Sequence, residues 1–215
     1  MAAAIILDVD GTLVDSNYQH AMAWYMAFRE HEVVVPISWI HHHLGMGGDQ
    51  LVSAVAGERV EAEHGDALRM VHDAFFGASI DTVSVLEGAR ELIKELKQAG
   101  ATVVLASSAQ EREINHYLDL LDVRDLVDAW TTASDVEQTK PAPDLVLAAL
   151  EKAGTEHAFM IGDTPWDVET AKKASVPTYG VLTGGFSRAE LEAAGAIGVF
   201  ESVNEIRGQI TALVG

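Results

Sequence analysis

Asp8 and Asp10 close the apolar run Ile5-Ile6-Leu7, separated only by Val9 and followed by Gly11. On an extended backbone alternate side chains point to one side, so the two carboxylates face together. Such a pair can share a divalent cation, or divide a reaction with one acid as nucleophile and the other as acid/base. Three more polar signals follow apolar segments or sit in loops beside them. Ser107 comes after Val103-Val104-Leu105-Ala106, Lys140 opens Lys-Pro-Ala-Pro-Asp, and Asp163 and Asp167 stand in Gly-Asp-Thr-Pro-Trp-Asp. Carboxylates, a hydroxyl and an ammonium are thus available to one crevice, provided the fold brings these positions together.

The elements that must position them read as a parallel α/β sheet. The unalternating run at residues 5–7 suits a strand covered on both faces, with Gly11 releasing the backbone into a turn. From Val85 onward helices and strands alternate. The pattern predicts a helix over Glu87–Ala99 ended by Gly100, a strand over Ala101–Ala106, a helix from about Ala109 to Leu121 and a weaker strand near Ala129–Thr132. A helix over about Asp144–Ala153, a strand over Ala158–Ile161 and a helix to about Ala174 come next. The tail reads as a strand over Thr178–Leu182, a helix over Ser187–Ala194, a strand over Ala196–Phe200 and a last helix from about Val203. Strands joined by crossover helices imply a doubly wound parallel sheet, in which ligands bind outside the carboxyl ends of the strands. Residues 15–84 differ, with helical periodicity around Met22–Phe28, Leu51–Val55 and Leu68–Phe76 and no comparable strand. The expected organisation is therefore an α/β core from residues 1–14 and 85–215, with a small all-helical cap of four helices from residues 15–84.

Composition narrows the function classes. The 215 residues include 48% hydrophobic ones, enough for a sizeable core, and no Cys, which excludes disulfides, Cys-based zinc sites and a thiol nucleophile and is compatible with a reducing cytoplasm. No apolar run approaches a membrane span, and the N-terminus lacks the basic region of a signal peptide, so a cytoplasmic protein is expected. With 14 basic and 33 acidic residues the formal charge is −19. That argues against nucleic acid as a partner and means that a phosphate-bearing substrate needs a local cation, a metal or a well-placed Lys or Arg.

The four signals, in this order and spacing, resemble the haloacid dehalogenase-like (HAD) hydrolase superfamily over nearly the whole chain. The helical insertion between the first and second motifs is similar to that family's first type of cap, which closes over small substrates. The resemblance implies a Rossmann-like core and a site of stated roles. Asp8 is the nucleophile that takes a phosphoryl group as aspartyl-phosphate, and Asp10 protonates the leaving alkoxide and then deprotonates water. Ser107, with Ser108 and Thr12, binds phosphoryl oxygens, and Lys140 balances charge between Asp8 and the phosphate. Asp163 and Asp167 hold Mg²⁺ with Asp8 and the backbone carbonyl of Asp10, an all-oxygen set that suits that ion. The partner implied is a small phosphorylated metabolite, for a monomer or a homodimer.

Branches of the family separate on single residues. Dehalogenases lack the acid two places after the nucleophile, since a halide leaves without a proton; here Asp10 is present. Phosphonate-cleaving members use a cap Lys, and none occurs between Met1 and Leu92. The remaining choice is between a phosphatase, of phosphoglycolate- or sugar-phosphate-like substrates, and a β-phosphoglucomutase-like mutase. His20, ten residues after Asp10, is compatible with both. A mutase also needs basic cap residues to grip a second phosphate, whereas the loop from His43 carries Asp49, and Arg69 is the only candidate. The phosphatase is favoured, with His20, His43 and Arg69 as candidate substrate contacts; a dehalogenase or a non-catalytic binding protein stands further off.

Simpler roles compete at several positions. Asp163 can cap a helix and Asp167 can be a first-turn acid, Ser107 can cap the helix near Ala109, and Lys140 can be a solvated loop residue. His41-His42-His43 cannot all face one ion from a regular element. Trp24, Tyr25 and Phe28 read as cap packing. Trp166 either walls the crevice or packs beneath it, and Gly184-Gly185 either frames the entrance or makes a turn.

Overall fold

The computed structural model describes residues 3–209. Its core runs β1 (Ala4–Leu7), β2 (Val14–Asp15), then after the cap β3 (Ser84–Val85), α5 (Ala89–Gln98), β4 (Thr102–Leu105), α6 (Glu111–Leu121), β5 (Ala129–Trp130), α7 (Asp144–Ala153), β6 (Ala158–Gly162), α8 (Pro165–Lys173), β7 (Thr178–Val181), α9 (Arg188–Ala194), β8 (Gly198–Phe200) and α10 (Val203–Arg207). The cap consists of α1 (Asn17–Glu30), α2 (Ile37–His41), α3 (Gly48–Ala56) and α4 (Glu58–Ser79). Six strands form one parallel sheet in the order β5-β4-β1-β6-β7-β8. The first strand is therefore central, and the order reverses beside it, which creates the crevice at its carboxyl end.

Alternation along β1 explains why the sheet must be covered on both faces. Ile5 and Leu7 pack with Val103, Leu105, Leu92, Ile93 and Tyr117 on one side, under α5, α6 and α10. Ala4 and Ile6 pack with Val104, Leu145, Val146, Met160 and Ala171 on the other, under α7 and α8. Burying an aliphatic side chain of this size contributes about 1.5–3 kcal/mol, and a one-residue slip would send each of these side chains to the opposite helical layer. The cap has its own core of Trp24, Phe28, Ile40, Leu51, Val52 and Leu68. Among the described residues no helix is long and apolar enough to cross a membrane.

Two features were not evident in the pattern. β2 and β3 pair antiparallel, Val14 opposite Val85, and clasp the chain where it leaves and re-enters the core. Two-residue strands carry no readable period. The helix expected from Ala109 begins at Glu111, and its N-cap is Gln110 rather than Ser107, with Glu113 accepting from the Gln110 N–H. The helix after β6 is likewise capped by Thr164, not by Asp163.

Candidate active site

The register of three strands assembles the site. Leu7 lies opposite Leu105 and Ala106 N–H donates to Leu7 O, so Asp8 and Ser107 leave the sheet side by side. On the other flank Leu7 lies opposite Ile161, which places Asp163 next to Asp8. Lys140, from the loop before α7, reaches across to them. Its ammonium bonds Asp8 Oδ1 and pairs with Asp167 Oδ1 at 2.6 Å. Asp8, Lys140, Asp163 and Asp167 are all buried. Lys140 is thus no solvated loop residue.

Burial of so many charges sets their protonation. Burial, then the nearby Asp167 and Asp163, hold the Asp8 carboxyl well above its ordinary range, while Lys140 pulls it down. Burial works against the Lys140 charge, but Asp167 and Asp8 outweigh it and hold the ammonium protonated. Asp167 also accepts from Thr164 N–H and Oγ at 3.0 and 2.7 Å, so both of its oxygens are engaged in holding the loop and the lysine. Lys140→Met is expected to strand these acids. Removing one partner of a buried pair costs about 3–5 kcal/mol, and turnover should fall about 10²–10³-fold. Chemical denaturation in EDTA beside steady-state kinetics checks both.

Asp8, Asp163 and Asp167 offer carboxylate oxygens that all lie within 4.8 Å of one another, a buried group able to hold a metal ion. The surroundings fit this use. Thr12 Oγ1 donates to Asp163 Oδ1 and Asn17 Nδ2 to Asp163 Oδ2, both at 2.9 Å. Two glycines close over the same carboxylate. A Cβ on Gly11, whose φ is 73°, would lie 2.3 Å from Asp163 Oδ2, and one on Gly184 only 1.7 Å away. Gly184-Gly185 is accordingly a turn that presses on Asp163. The Asp10 carboxylate stays outside this group.

Burial and Asp167 raise the Asp163 carboxyl to about 7, against the bonds from Asn17 and Thr12 and the charge of Lys140. An acid with a raised folded pKa binds a proton that the unfolded chain has released, so its stabilisation is complete below about pH 4 and is lost as pH rises through about 7. A bound cation takes the place of that proton. Metal-free protein should therefore lose thermal stability between pH 5 and 8, and Mg²⁺ should raise the unfolding temperature more at pH 8 than at pH 5. Calorimetry in EDTA and in Mg²⁺ measures this, with Asp163→Asn expected to shrink the difference to the share left by Asp8, whose carboxyl is also raised.

Asp10 is held by a second network. Its Oδ1 accepts from Ser16 Oγ at 2.5 Å and Tyr117 OH at 2.9 Å and faces His20 Nε2 at 3.3 Å. His20 Nδ1 meets His72 Nε2 at 3.2 Å, and His72 Nδ1 meets Asp73 Oδ1 at 3.0 Å. With a carboxylate at each end, satisfying all three contacts needs three protons on two imidazoles. Burial lowers His72 to about 4, against the pull of Asp73. His72, neutral, donates to Asp73 and leaves its Nε2 to accept from His20.

Above these groups, cap and core enclose a cavity of about 350 Å³ lined by Asp8, Asp10, Lys140, His20, Trp24, Arg69, Ser108 and others. Ser107 is buried and does not itself line it; its Oγ accepts from Ala109 N–H at 3.0 Å, which leaves its own hydroxyl hydrogen free to donate. Of the residues expected to touch substrate, Ser108, His20 and Arg69 reach the cavity. Thr12 does not: it is buried, and its hydroxyl hydrogen is committed to Asp163. His43 does not either. Its Nδ1 bonds Trp39 O and its ring stacks on Trp166, outside the cavity. Trp166 donates to His42 O at 3.3 Å, so it braces cap against core. The three consecutive histidines face different partners, His41 meeting Gly184 O at 3.0 Å. Trp24 packs in the cap core and stacks on His72 at 4.2 Å while also lining the cavity.

Asn17, Ser16, Tyr117, His72 and Asp73 were not singled out from sequence. Ser16 and Asn17 stand where the first cap helix is entered, and Tyr117 lies within α6. Only the fold shows Asn17 turned to Asp163, Ser16 and Tyr117 turned to Asp10, and His72 and Asp73 lined up behind His20.

A doubly wound α/β enzyme with a buried acidic, metal-competent site under a helical cap is the class that fold and site define. Comparison with known proteins is more specific: the haloacid dehalogenase-like hydrolase family model matches residues 2–175, and the chain belongs to that family. It is 30% identical over 188 residues to the pyrophosphatase PpaX of Bacillus velezensis, covering 83% of this chain and 82% of that one. It is 29% identical over 212 residues to a phosphoglycolate phosphatase of Rhodospirillum rubrum, covering 94% and 88%. The crystal structure of a hydrolase from Pseudomonas syringae superposes with a TM-score of 0.93 at 29% identity, over 99% of this chain and all of that one.

Proposed function

We propose that this hydrolase is a Mg²⁺-dependent phosphatase that cleaves a small phosphorylated metabolite, a phosphate monoester, through an aspartyl-phosphate on Asp8. The observation that carries the reading is Lys140 seated between Asp8 and Asp167 at the floor of a cavity between cap and core that Asp10 also lines. Lys140 occupies Oδ1 of Asp8 and leaves the other oxygen to attack phosphorus, with the leaving oxygen protonated from Asp10. Asp10 then takes the proton of the water that cleaves the acyl-phosphate, and Ser107 donates to a phosphoryl oxygen. Mg²⁺ held by Asp8, Asp163 and Asp167, with the Asp10 carbonyl, would supply further charge neutralisation there. The names of the relatives support a phosphatase, and a cysteine-free chain suits a reducing cytoplasm.

The mutase reading loses its grip on a second phosphate. Arg69 bonds Glu61 through both terminal nitrogens at 3.1 and 2.9 Å, Asp66 at 2.9 Å and Gly48 O at 3.0 Å, so it staples α3 to α4 and its charge is already matched. Phosphate release from a panel of monoesters, with Mg²⁺ and with EDTA, tests the proposal. Release that needs Mg²⁺ supports it; activity only with a sugar monophosphate plus its bisphosphate would restore the mutase.

A further inference from the structure

The walls of the cavity away from Asp8 and Lys140 are acidic. Asp49 on α3, Asp73 on α4, Glu113 on α6 and Glu137 in the loop before Lys140 all line it. The lysine and the arginine that line it are spent elsewhere, Lys140 on Asp8 and Asp167 and Arg69 on Glu61 and Asp66, and His20 faces Asp10. Asp49 accepts from Thr139 N–H and hydroxyl, and Asp73 from Gln110 and His72, but these partners leave the carboxylate charges formally unmatched except by a histidine proton. Trp24, Leu44 and Met46 supply the apolar remainder of the lining. A phosphoryl group can be met at the floor by Lys140. The part of the substrate that leaves must instead face carboxylates at close range, Asp73 and Glu113 half-buried and Asp49 and Glu137 exposed, where like charges repel and acceptors want donors.

We infer that the leaving group of the substrate presents hydroxyl or ammonium donors and carries no second anion, so that the enzyme takes a polyol or amino-alcohol monophosphate and rejects phospho-carboxylates and bisphosphates. This rests on the phosphatase reading and selects within it. The selectivity is set by repulsion: acids on four different segments surround the leaving group, and no unmatched lysine or arginine lines the cavity beside them.

The test is kcat/KM at saturating Mg²⁺ for glycerol 3-phosphate, phosphoethanolamine, 2-phosphoglycolate and fructose 1,6-bisphosphate, with 4-nitrophenyl phosphate as a control for the reaction itself. The polyol or amino-alcohol ester is expected to exceed phosphoglycolate and the bisphosphate by about tenfold or more, equivalent to about 1.4 kcal/mol. In the double variant Glu113→Gln/Glu137→Gln that ratio should shrink about three- to tenfold. The ratio cancels any general loss of folded enzyme. Both results support the inference, and the winning ester tells hydroxyl from ammonium. Phosphoglycolate or the bisphosphate matching or exceeding the neutral and cationic esters, or a ratio that the double variant leaves unmoved, overturns the inference while the phosphatase reading stands. No release from any ester, the nitrophenyl control included, overturns the phosphatase reading and this inference with it.

Discussion

Asp8→Asn is expected to fold, to keep its cavity and to release no measurable phosphate from any monoester, a loss of about 10⁴–10⁶-fold. The amide is nearly the shape of the carboxylate but is no nucleophile, and the strand that carries it is fixed by Ile5, Ile6 and Leu7 rather than by the acid. Stability should move the other way. Burial and the acids at Asp167 and Asp163 disfavour the charged form of Asp8 despite Lys140, and Lys140 keeps Asp167 when Asp8 loses its charge. At pH 8 without metal the variant should therefore unfold no lower than wild type, and higher if the repulsion outweighs the lost Lys140 contact. A residue kept at the expense of stability is the mark of a functional position. Phosphate release and calorimetry in EDTA are the two readouts. Retained turnover would remove Asp8 from the chemistry, and a collapse in stability would make it a structural acid.

The same three strands show what was readable without coordinates. Asp8, Ser107 and Asp163 each follow an apolar run, and a parallel sheet brings strand ends together whatever the intervening chain does, so their meeting could be foreseen from local pattern plus one topological rule. Lys140 was placed by its motif alone, and the bridge to Asp167 was not foreseeable, because Asp167 looks like any first-turn acid until Thr164 and Lys140 are seen on its two oxygens. The cap was legible as helices but not as a surface. Arg69 was the natural candidate for gripping substrate because it is a cation in an acidic chain, yet the helical spacing that places Asp66 three residues before it also neutralises it. Glu61, eight residues before it on the same helix, completes the pairing. Thr12 and His43 are bonded to other partners for the same reason: a polar side chain near a motif has several partners within reach, and pairwise geometry, not residue type, decides among them.

Asp10→Asn should lower kcat by about 10²–10⁴-fold for esters of alcohols, the usual contribution of a positioned acid or base. The effect should depend on the leaving group. An alkoxide needs a proton as it departs and a nitrophenolate hardly does, so the loss on 4-nitrophenyl phosphate should be much smaller if the chemical step limits turnover. A uniform loss across both substrates would make Asp10 a structural residue. The pH behaviour follows from what holds it. Burial alone would raise Asp10, but the hydrogen bond and charge of His20, with Ser16 and Tyr117, bring it down to about 2. At neutral pH the resting side chain is thus a carboxylate, already in the form that activates water, and its proton for the first step has to be delivered as substrate binds. His20 at 3.3 Å, backed by His72 and Asp73, is positioned to deliver it. A lowered folded pKa stabilises the fold above about pH 4, and that contribution is lost as pH falls towards 2, so any stability deficit of Asp10→Asn relative to wild type should narrow over that range. His20→Asn separates delivery from positioning: it should slow alkyl esters more than the nitrophenyl ester, whereas a merely structural histidine would slow both alike.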